Sequence, residues 1–288
     1  MTAIADHPLR YPLTNELHAR PFPTLGVPGT AVFIAIKPAE NAAARDRAAD
    51  FHHLTKLLDR HGVAHPPPGA THYFGRIGKY ALKWESHTEF VTYTAFADGV
   101  SARSFDPADF EVFPADWLAE APGMRITSAL VRIDVLKEKE EVVRSLSDWF
   151  VPESLAASYV LDEAAVVAGD FRIDPAGHIR LAVFVAPGTG ARRVGRIVQR
   201  MLEIETYKTM SMLGFARVRE IGSRMGHIDR QLTDLMADMR DEEKSADLTL
   251  AGLLAVSAEL ENLGVQTSFR FGATSAYEAI VHQRIEVM

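Results

Sequence analysis

Proline divides this chain into two parts. All fifteen prolines lie at or before Pro187, and the residues after it contain none. Proline lacks a backbone N–H and clashes with the preceding helical turn, so it is excluded from helix interiors. The distribution therefore predicts a turn-rich body over residues 1–187 and a helical arm over residues 188–288.

Charge and cysteine content exclude several classes of function. The chain of 288 residues has a formal net charge of -7, whereas general nucleic-acid binders need a basic surface, so no nucleic-acid partner is expected. Without cysteine there are no disulfides or thiolate metal sites, which is typical of a reducing compartment. No cofactor is expected. No run approaches eighteen uncharged apolar residues, so the residues themselves predict no membrane-spanning helix.

Hydrophobic periodicity in the body predicts the element order β-α-β-β-β twice, about 90 residues apart. The first unit starts with a strand at residues 30–37, followed by a helix over about residues 41–61. The second starts with a strand at residues 125–136, followed by a helix over residues 137–150. The expected fold class is α+β, with one mixed sheet that has helices on its face. An internal duplication and a coincidental alternation both explain the repeat.

The arm is predicted to consist of a long, stalk-like helix over about residues 191–241, followed by two helices over about 247–263 and 267–288. Gly264 is the expected end of the second helix. The long helix carries apolar residues at alternating spacings of three and four, which is typical of a coiled coil. These are Val218, Ile221, Met225, Ile228, Leu232, Leu235 and Met239. A lone helix cannot bury this seam, so it is expected to pack on the other two helices or on another chain.

A glycine-rich turn at the start of the arm is the best candidate for ligand binding. A predicted strand enters it and a predicted helix leaves it, as in phosphate-binding loops. Backbone N–H groups near Gly188 and Gly190 could approach an anion. Positive charge would come from Arg192, Arg193 and Arg196. The dinucleotide-binding pattern is not met, because Gly195 is two residues out of place. A tight turn with solvated or ion-paired arginines explains the same residues.

A weaker candidate is a row of alternating polar residues that would lie on one face of a strand. Glu85, His87 and Glu89, next to Lys83, could hold a divalent cation. A hairpin turn at residues 86–88 would separate them, and a solvated, charged strand face is the favoured explanation, so no metal is expected. No serine or cysteine nucleophile motif is present, so an enzyme is the less favoured class.

Three segments resemble one known family. They are HPLRYPLTNELHARPFPTL at residues 7–25, LKWESHTEFVTYTAF at 82–96 and GRIVQRMLEIETYKTMSML at 195–213. Together they are similar to the bacterial family with domain of unknown function 3422, a family of predicted membrane-anchored proteins. The resemblance covers essentially the whole chain. It implies a cytoplasmic body, a long helical arm and, in full-length members, a further helical segment with C-terminal membrane helices.

This chain ends at Met288, before any such membrane segment, so a truncated product and a lost anchor are both open. The family has no established activity and implies no catalytic residue. Its first segment is interrupted by prolines and therefore extended, yet it contains groups suited to specific contacts. They are Asn15, Glu16, His18 and Arg20.

The expected function is a non-enzymatic interaction or regulatory domain of a membrane-anchored protein. Its cytoplasmic body would stand on a helical stalk at the inner membrane, with self-association through the arm. Contact with the membrane would come only through a segment that this chain lacks. The alternative is an enzyme or sensor that binds a phosphorylated small molecule at residues 188–196.

Overall fold

The computed structural model describes residues 4–11, 13–14, 22–240 and 245–288. The chain divides into two compact units. Unit 1 extends to Leu202 and also includes Met288, while unit 2 comprises residues 203–287.

Unit 1 is built on one mixed sheet of eight strands. The strands are β1 (Gly29–Lys37), β2 (His72–Ile77), β3 (Tyr80–Ser86), β4 (Val91–Asp98), β5 (Met124–Val135), β6 (Ala156–Val160), β7 (Ala165–Ile173) and β8 (Ile179–Val185). Their order across the sheet is β2-β3-β4-β1-β5-β8-β7-β6. The predicted α+β fold class, with a mixed sheet and a long helix, is therefore confirmed.

After residue 22 the described chain contains five α-helices: α1 (Arg47–Arg60), α2 (Ala115–Ala119), α3 (Lys139–Trp149), α4 (Ala191–Asp238) and α5 (Ala246–Glu286). Arg10, Tyr11, Leu13 and Thr14 are helical as well, so the predicted extended conformation of the N-terminal segment is wrong at these residues. Short 3-10 helices occupy Ala42–Ala44, Pro107–Val112 and Pro152–Ser154. The last strand, β8, ends at Val185, and α4 begins at Ala191. The proline boundary at Pro187 therefore separates the sheet from the long helices.

The two predicted β-α-β-β-β units have the same neighbour order, because β1-β4-β3-β2 and β5-β8-β7-β6 correspond strand by strand. Helices α1 and α3 also pack on the same face of the sheet. The strand directions differ, however. Strand β4 is antiparallel to β1, whereas β8 is parallel to β5. The sequence repeat thus corresponds to a repeat in strand order but not in strand direction.

Alternating side chains give the sheet two apolar faces. On the first face, Val32 and Ile34 pack with Leu54 of α1 and Trp117 of α2. On the second face, alternate residues of β1, β5 and β8 pack against the first turns of α4. The α4 contacts come from Val194, Ile197, Val198, Met201 and Leu202. Unit 1 is therefore a sheet covered on both sides.

Unit 2 is an antiparallel pair formed by the later part of α4 and by α5. Early residues of α4 meet late residues of α5, as in the stacked rings of Tyr207 and Tyr277, whose centroids are 5.6 Å apart. Later residues of α4 meet earlier ones of α5, as in the Arg224–Glu259 ion pair at 3.4 Å. Ile228 packs at the centre of the apolar contact between them.

The prediction of two helices over residues 247–263 and 267–288 is wrong, because α5 is continuous through Gly264. A glycine inside a helix costs only about 1 kcal/mol relative to alanine. Leu263 and Thr267, on either side, are both buried in unit 2, and their packing offsets that cost. The helix therefore continues where the sequence suggested a stop.

The predicted seam of α4 is only partly used within unit 2. Four members pack in the contact with α5, namely Ile221, Ile228, Leu232 and Leu235. Val218, Met225 and Met239 remain exposed. The seam thus supplies an intramolecular contact, and association between chains stays a prediction.

By length and composition, helix α5 is long and apolar enough to cross a membrane. Of its most apolar stretch of eighteen residues, 17% is buried. The sequence criterion of an uncharged run missed it, because a span tolerates an occasional charge. A core helix of a soluble protein also meets this test.

Candidate functional site

A buried lysine lies on the second face of the sheet. Alternation in β3 directs Leu82 and Trp84 to the first face and places Lys83 on the second. Lys83 is 5% exposed. Its Nζ lies 2.9 Å from Oε1 of Gln199 in α4 and 3.1 Å from Oε2 of Glu85. Because burying an unpaired charge is very costly, these two partners are what permit an ammonium group at this position.

Buried threonines lie on the same face of the sheet as this lysine. Thr94 pairs with Lys83, and Thr92 with Glu85, in the β3–β4 ladder. One strand further, Ala35 of β1 is paired with both Thr92 and Thr127 of β5. We call this group the polar corner, and it consists of Lys37, Lys83, Glu85, Thr92, Thr94, Thr127 and Gln199. All of them except Glu85 are buried.

The polar corner holds several hydrogen-bonding groups in fixed positions within an otherwise apolar layer. The ion pair and the hydrogen bond of Lys83 make the packing here specific, since an arrangement without them leaves a charge unpaired. Lys83 and Gln199 are separated by 116 residues in sequence, and their contact joins β3 to α4. The corner therefore fixes how the start of α4 is seated on the sheet.

The proposed cation row is divided by the turn between β3 and β4. Lys83 and Glu85 belong to β3, which ends at Ser86. His87 lies in the turn, with its ring stacked on Phe90 at 4.3 Å. Glu89 is buried just before β4 begins. Within the described ranges, no group of three or more His, Asp or Glu side chains is placed to hold a metal ion.

The glycine turn is open to its surroundings. Gly188 has a positive φ of 86°, a conformation that favours glycine. A Cβ at Gly188 or Gly190 would have no atom within 4 Å. The backbone there does not form a packed cradle.

The three arginines that come after the turn are all exposed. Arg193 donates to the carbonyl oxygen of Leu161 at 3.2 Å. The guanidinium of Arg196 lies 5.2 Å from the centre of the Phe22 ring. Arg193 and Arg196 thus have contacts within the protein, and anion binding at the turn stays a prediction.

Comparison with protein families decides the chain's membership. The family model named Protein of unknown function (DUF3422) matches residues 5–288. The chain belongs to the DUF3422 family. The curated proteins and the solved structures contain no match to it. The resemblance inferred from three segments is thereby confirmed, while family membership assigns no reaction.

The N-terminal segment of this DUF3422 chain includes Asn15, Glu16, His18 and Arg20, which lie outside the described residues. The residues just before β1 are firmly seated. The Leu25 N–H donates to the Ala191 carbonyl oxygen at 3.1 Å, in the first turn of α4. Gly195, one turn later, lies directly against the backbone of Pro23.

Two further buried polar groups of the DUF3422 chain were not anticipated from its sequence. Arg45 forms a buried ion pair with Asp50 and donates to Oγ of Ser86 at 2.9 Å and to the carbonyl oxygen of Phe90 at 3.1 Å. Burial lowers the pKa of Arg45 and raises the pKa of Asp50. This pair fixes the β3–β4 turn.

The second is His53 of α1. Nε2 of its ring lies 3.0 Å from the carbonyl oxygen of Trp117, and Nδ1 lies 3.0 Å from the Tyr93 hydroxyl. Burial lowers the pKa of His53. A local sequence signal existed only for the polar corner, where Thr92 and Thr94 alternate in register with Lys83 and Glu85. The partners of Arg45 and His53 come from distant segments.

Proposed function

We propose that this DUF3422 protein is a non-enzymatic interaction or regulatory module that self-associates through unit 2. The observation that supports it is the placement of exposed apolar side chains. Of the 26 large apolar residues exposed in the described chain, 14 lie in unit 2. Unit 2 comprises less than a third of the sequence, so exposed apolar residues are enriched in this unit.

The outer face of α5 contributes most to this surface. Gly252 and Val256 face α4, in contact with Leu235 and with the apolar cluster of unit 2. Leu254 is two residues from each of them and thus on the opposite side of the helix. Leu250 and Leu254 are 56% and 62% exposed. A helix that is apolar on two faces is normally covered on both.

The stabilisation available from covering this face is substantial. Full burial of one leucine side chain is favourable by about 1.5–3 kcal/mol. Two copies that pack these faces together would bury leucines from both chains. A second DUF3422 chain is therefore a chemically matched occupant, since it brings the same apolar surface.

We place this module at the cytoplasmic face of a membrane. The length and composition of α5 support a location at a membrane, and the resemblance to a family of predicted membrane-anchored proteins supports the cytoplasmic side. Interaction rather than catalysis is supported by the polar corner, in which the buried lysine is engaged by a carboxylate and an amide.

The test uses light scattering on the purified chain over a wide range of protein concentration. Wild type is expected to form dimers or larger species, and the double variant Leu250→Glu with Leu254→Glu is expected to be monomeric. The matched control places two glutamates at exposed apolar positions of unit 1, Met124→Glu with Ile173→Glu, and is expected to associate like wild type.

A wild-type chain that stays monomeric at every concentration would contradict self-association. Flotation with phospholipid vesicles separates the two uses of the surface. A monomer that floats, and that loses flotation in the Leu250→Glu, Leu254→Glu variant, would assign the face to lipid instead.

A further inference from the structure

The sheet of unit 1 has one short edge strand that carries no charged residue, proline or bulge. Strand β6 (Ala156–Val160) is the last strand in the sheet order and, among the residues that the structure describes, pairs only with β7. Natural edge strands are blunted by charged residues, proline or bulges, because their outer N–H and C=O groups can pair with another strand. The β6 sequence AASYV has no charge and no proline, and its pairing with β7 is regular.

The opposite edge is different. Strand β2 carries His72 and Arg76. A positively charged side chain in an edge strand commonly prevents that strand from pairing with another chain. The contrast singles out β6 as the edge that remains able to accept a strand.

An apolar groove of about 210 Å³ runs along β6, between this strand and α3. Val143 of α3 and Tyr159 of β6 line it, and they are 52% and 59% exposed. Val142 and Leu146 form its floor and belong to the core of the first face. An extended segment beside β6 could place alternate side chains into this groove, as strand-addition complexes do.

The charged residues that line the groove are both lysines, Lys137 and Lys139. Lys137 pairs with Glu141 at 3.2 Å, whereas Lys139 has no ion-pair partner among the residues that the structure describes. Strands β5 and β6 run in the same direction, so α3, which connects them, runs back against both. Lys139 is the first residue of α3 and Lys137 comes just before it, so both lie at the Val160 end of β6.

We propose that the groove between α3 and β6 binds an extended, acidic segment of a partner protein. The segment adds to the free edge of β6 as a further strand of the sheet. Its backbone pairs with β6, alternate apolar side chains enter the groove beside Val143 and Tyr159, and its carboxylates lie near Lys139. This surface is in unit 1 and is independent of the proposed self-association of unit 2.

The experiment measures binding of a fluorescent synthetic peptide to the full chain by anisotropy. The peptide alternates valine and threonine and carries glutamates at one end, and a second version carries them at the other end. Lys139→Glu is expected to weaken the better of the two about fivefold. Val143→Ser is expected to weaken it about tenfold through lost apolar contact.

Arg144→Glu is the matched control, because it makes the same charge change on the same helix outside the groove. It is expected to leave the affinity unchanged. A peptide with lysines in place of the glutamates is expected to bind Lys139→Glu better than it binds wild type. Hydrogen exchange of residues 156–160 should slow when the acidic peptide is added.

The proposal is overturned if neither acidic peptide binds, or if binding is equal in Lys139→Glu and Arg144→Glu. It is also overturned if exchange at residues 156–160 slows with protein concentration and not with peptide. That last result would show that a second copy of the chain occupies the edge.

Discussion

The acid sensitivity of this fold should depend strongly on His53. Its Nε2 faces the Trp117 carbonyl oxygen, which can only accept, so Nε2 carries the hydrogen in the neutral ring. Nδ1 is then the acceptor for the Tyr93 hydroxyl. A second proton on the ring would place a donor against that hydroxyl and a charge inside the core, and burial accordingly lowers the pKa of His53.

The lowered pKa sets the sign of the effect. The unfolded chain takes up the proton near its ordinary pKa of 6.5, while the folded chain does not. The free energy of unfolding therefore falls as the pH drops below about 6.5, and continues to fall until the folded pKa is reached. At pH 5.5 the loss is at most about 1.4 kcal/mol for one histidine. Burial also lowers the pKa of His178, so the two together can lose about twice that.

Urea denaturation at pH 7.5 and at pH 5.5 measures this loss. His53→Gln should be less stable than wild type at pH 7.5, because hydrogen bonds of the ring are lost. Its further loss on acidification should be smaller than that of wild type by up to about 1.4 kcal/mol. His52→Gln, at an exposed neighbouring position, should keep the wild-type dependence. Equal losses in wild type and His53→Gln would refute the reasoning.

Two pairs of substitutions, each with its own control, test packing and charge. Gly195→Ala forces a methyl group into the backbone of the N-terminal segment and should lower stability by about 1–3 kcal/mol, while Gly264→Ala, in open space, should raise it by about 1 kcal/mol. Thermal unfolding of the two variants measures the difference. Equal changes in their melting temperatures would contradict the close contact between Gly195 and Pro23. Asp50→Ala leaves the Arg45 guanidinium buried without its carboxylate and should cost about 3–5 kcal/mol in urea denaturation. Glu120→Ala breaks an exposed ion pair and should leave the midpoint nearly unchanged.

Local patterns predicted the elements of this fold well. Proline exclusion indicated where the sheet gives way to α4, and alternation indicated most strands of the body. Strand order could not be predicted in this way, because pairing joins segments far apart in sequence. The parallel pairing of β5 with β8 is an example, since the residues involved are about 50 positions apart.

The sites were harder to predict for the same reason. The Lys83–Glu85 pair follows from alternation within one strand, but its amide partner Gln199 comes from α4. The continuous α5 was missed because the glycine penalty at Gly264 is small beside the packing of its neighbours. Tertiary contacts outweigh a local preference of that size.

The central position of β1 in the sheet has a consequence during synthesis of the chain. Strand β1 lies between β4 and β5. The three strands on its β4 side, β2, β3 and β4, are complete once residue 98 has been synthesised. The remaining side of β1 stays unpaired until β5, at residues 124–135, has left the ribosome. At about 5–20 residues per second, the delay after β4 amounts to a few seconds. One edge of this apolar central strand is therefore open to pairing with other chains during that time.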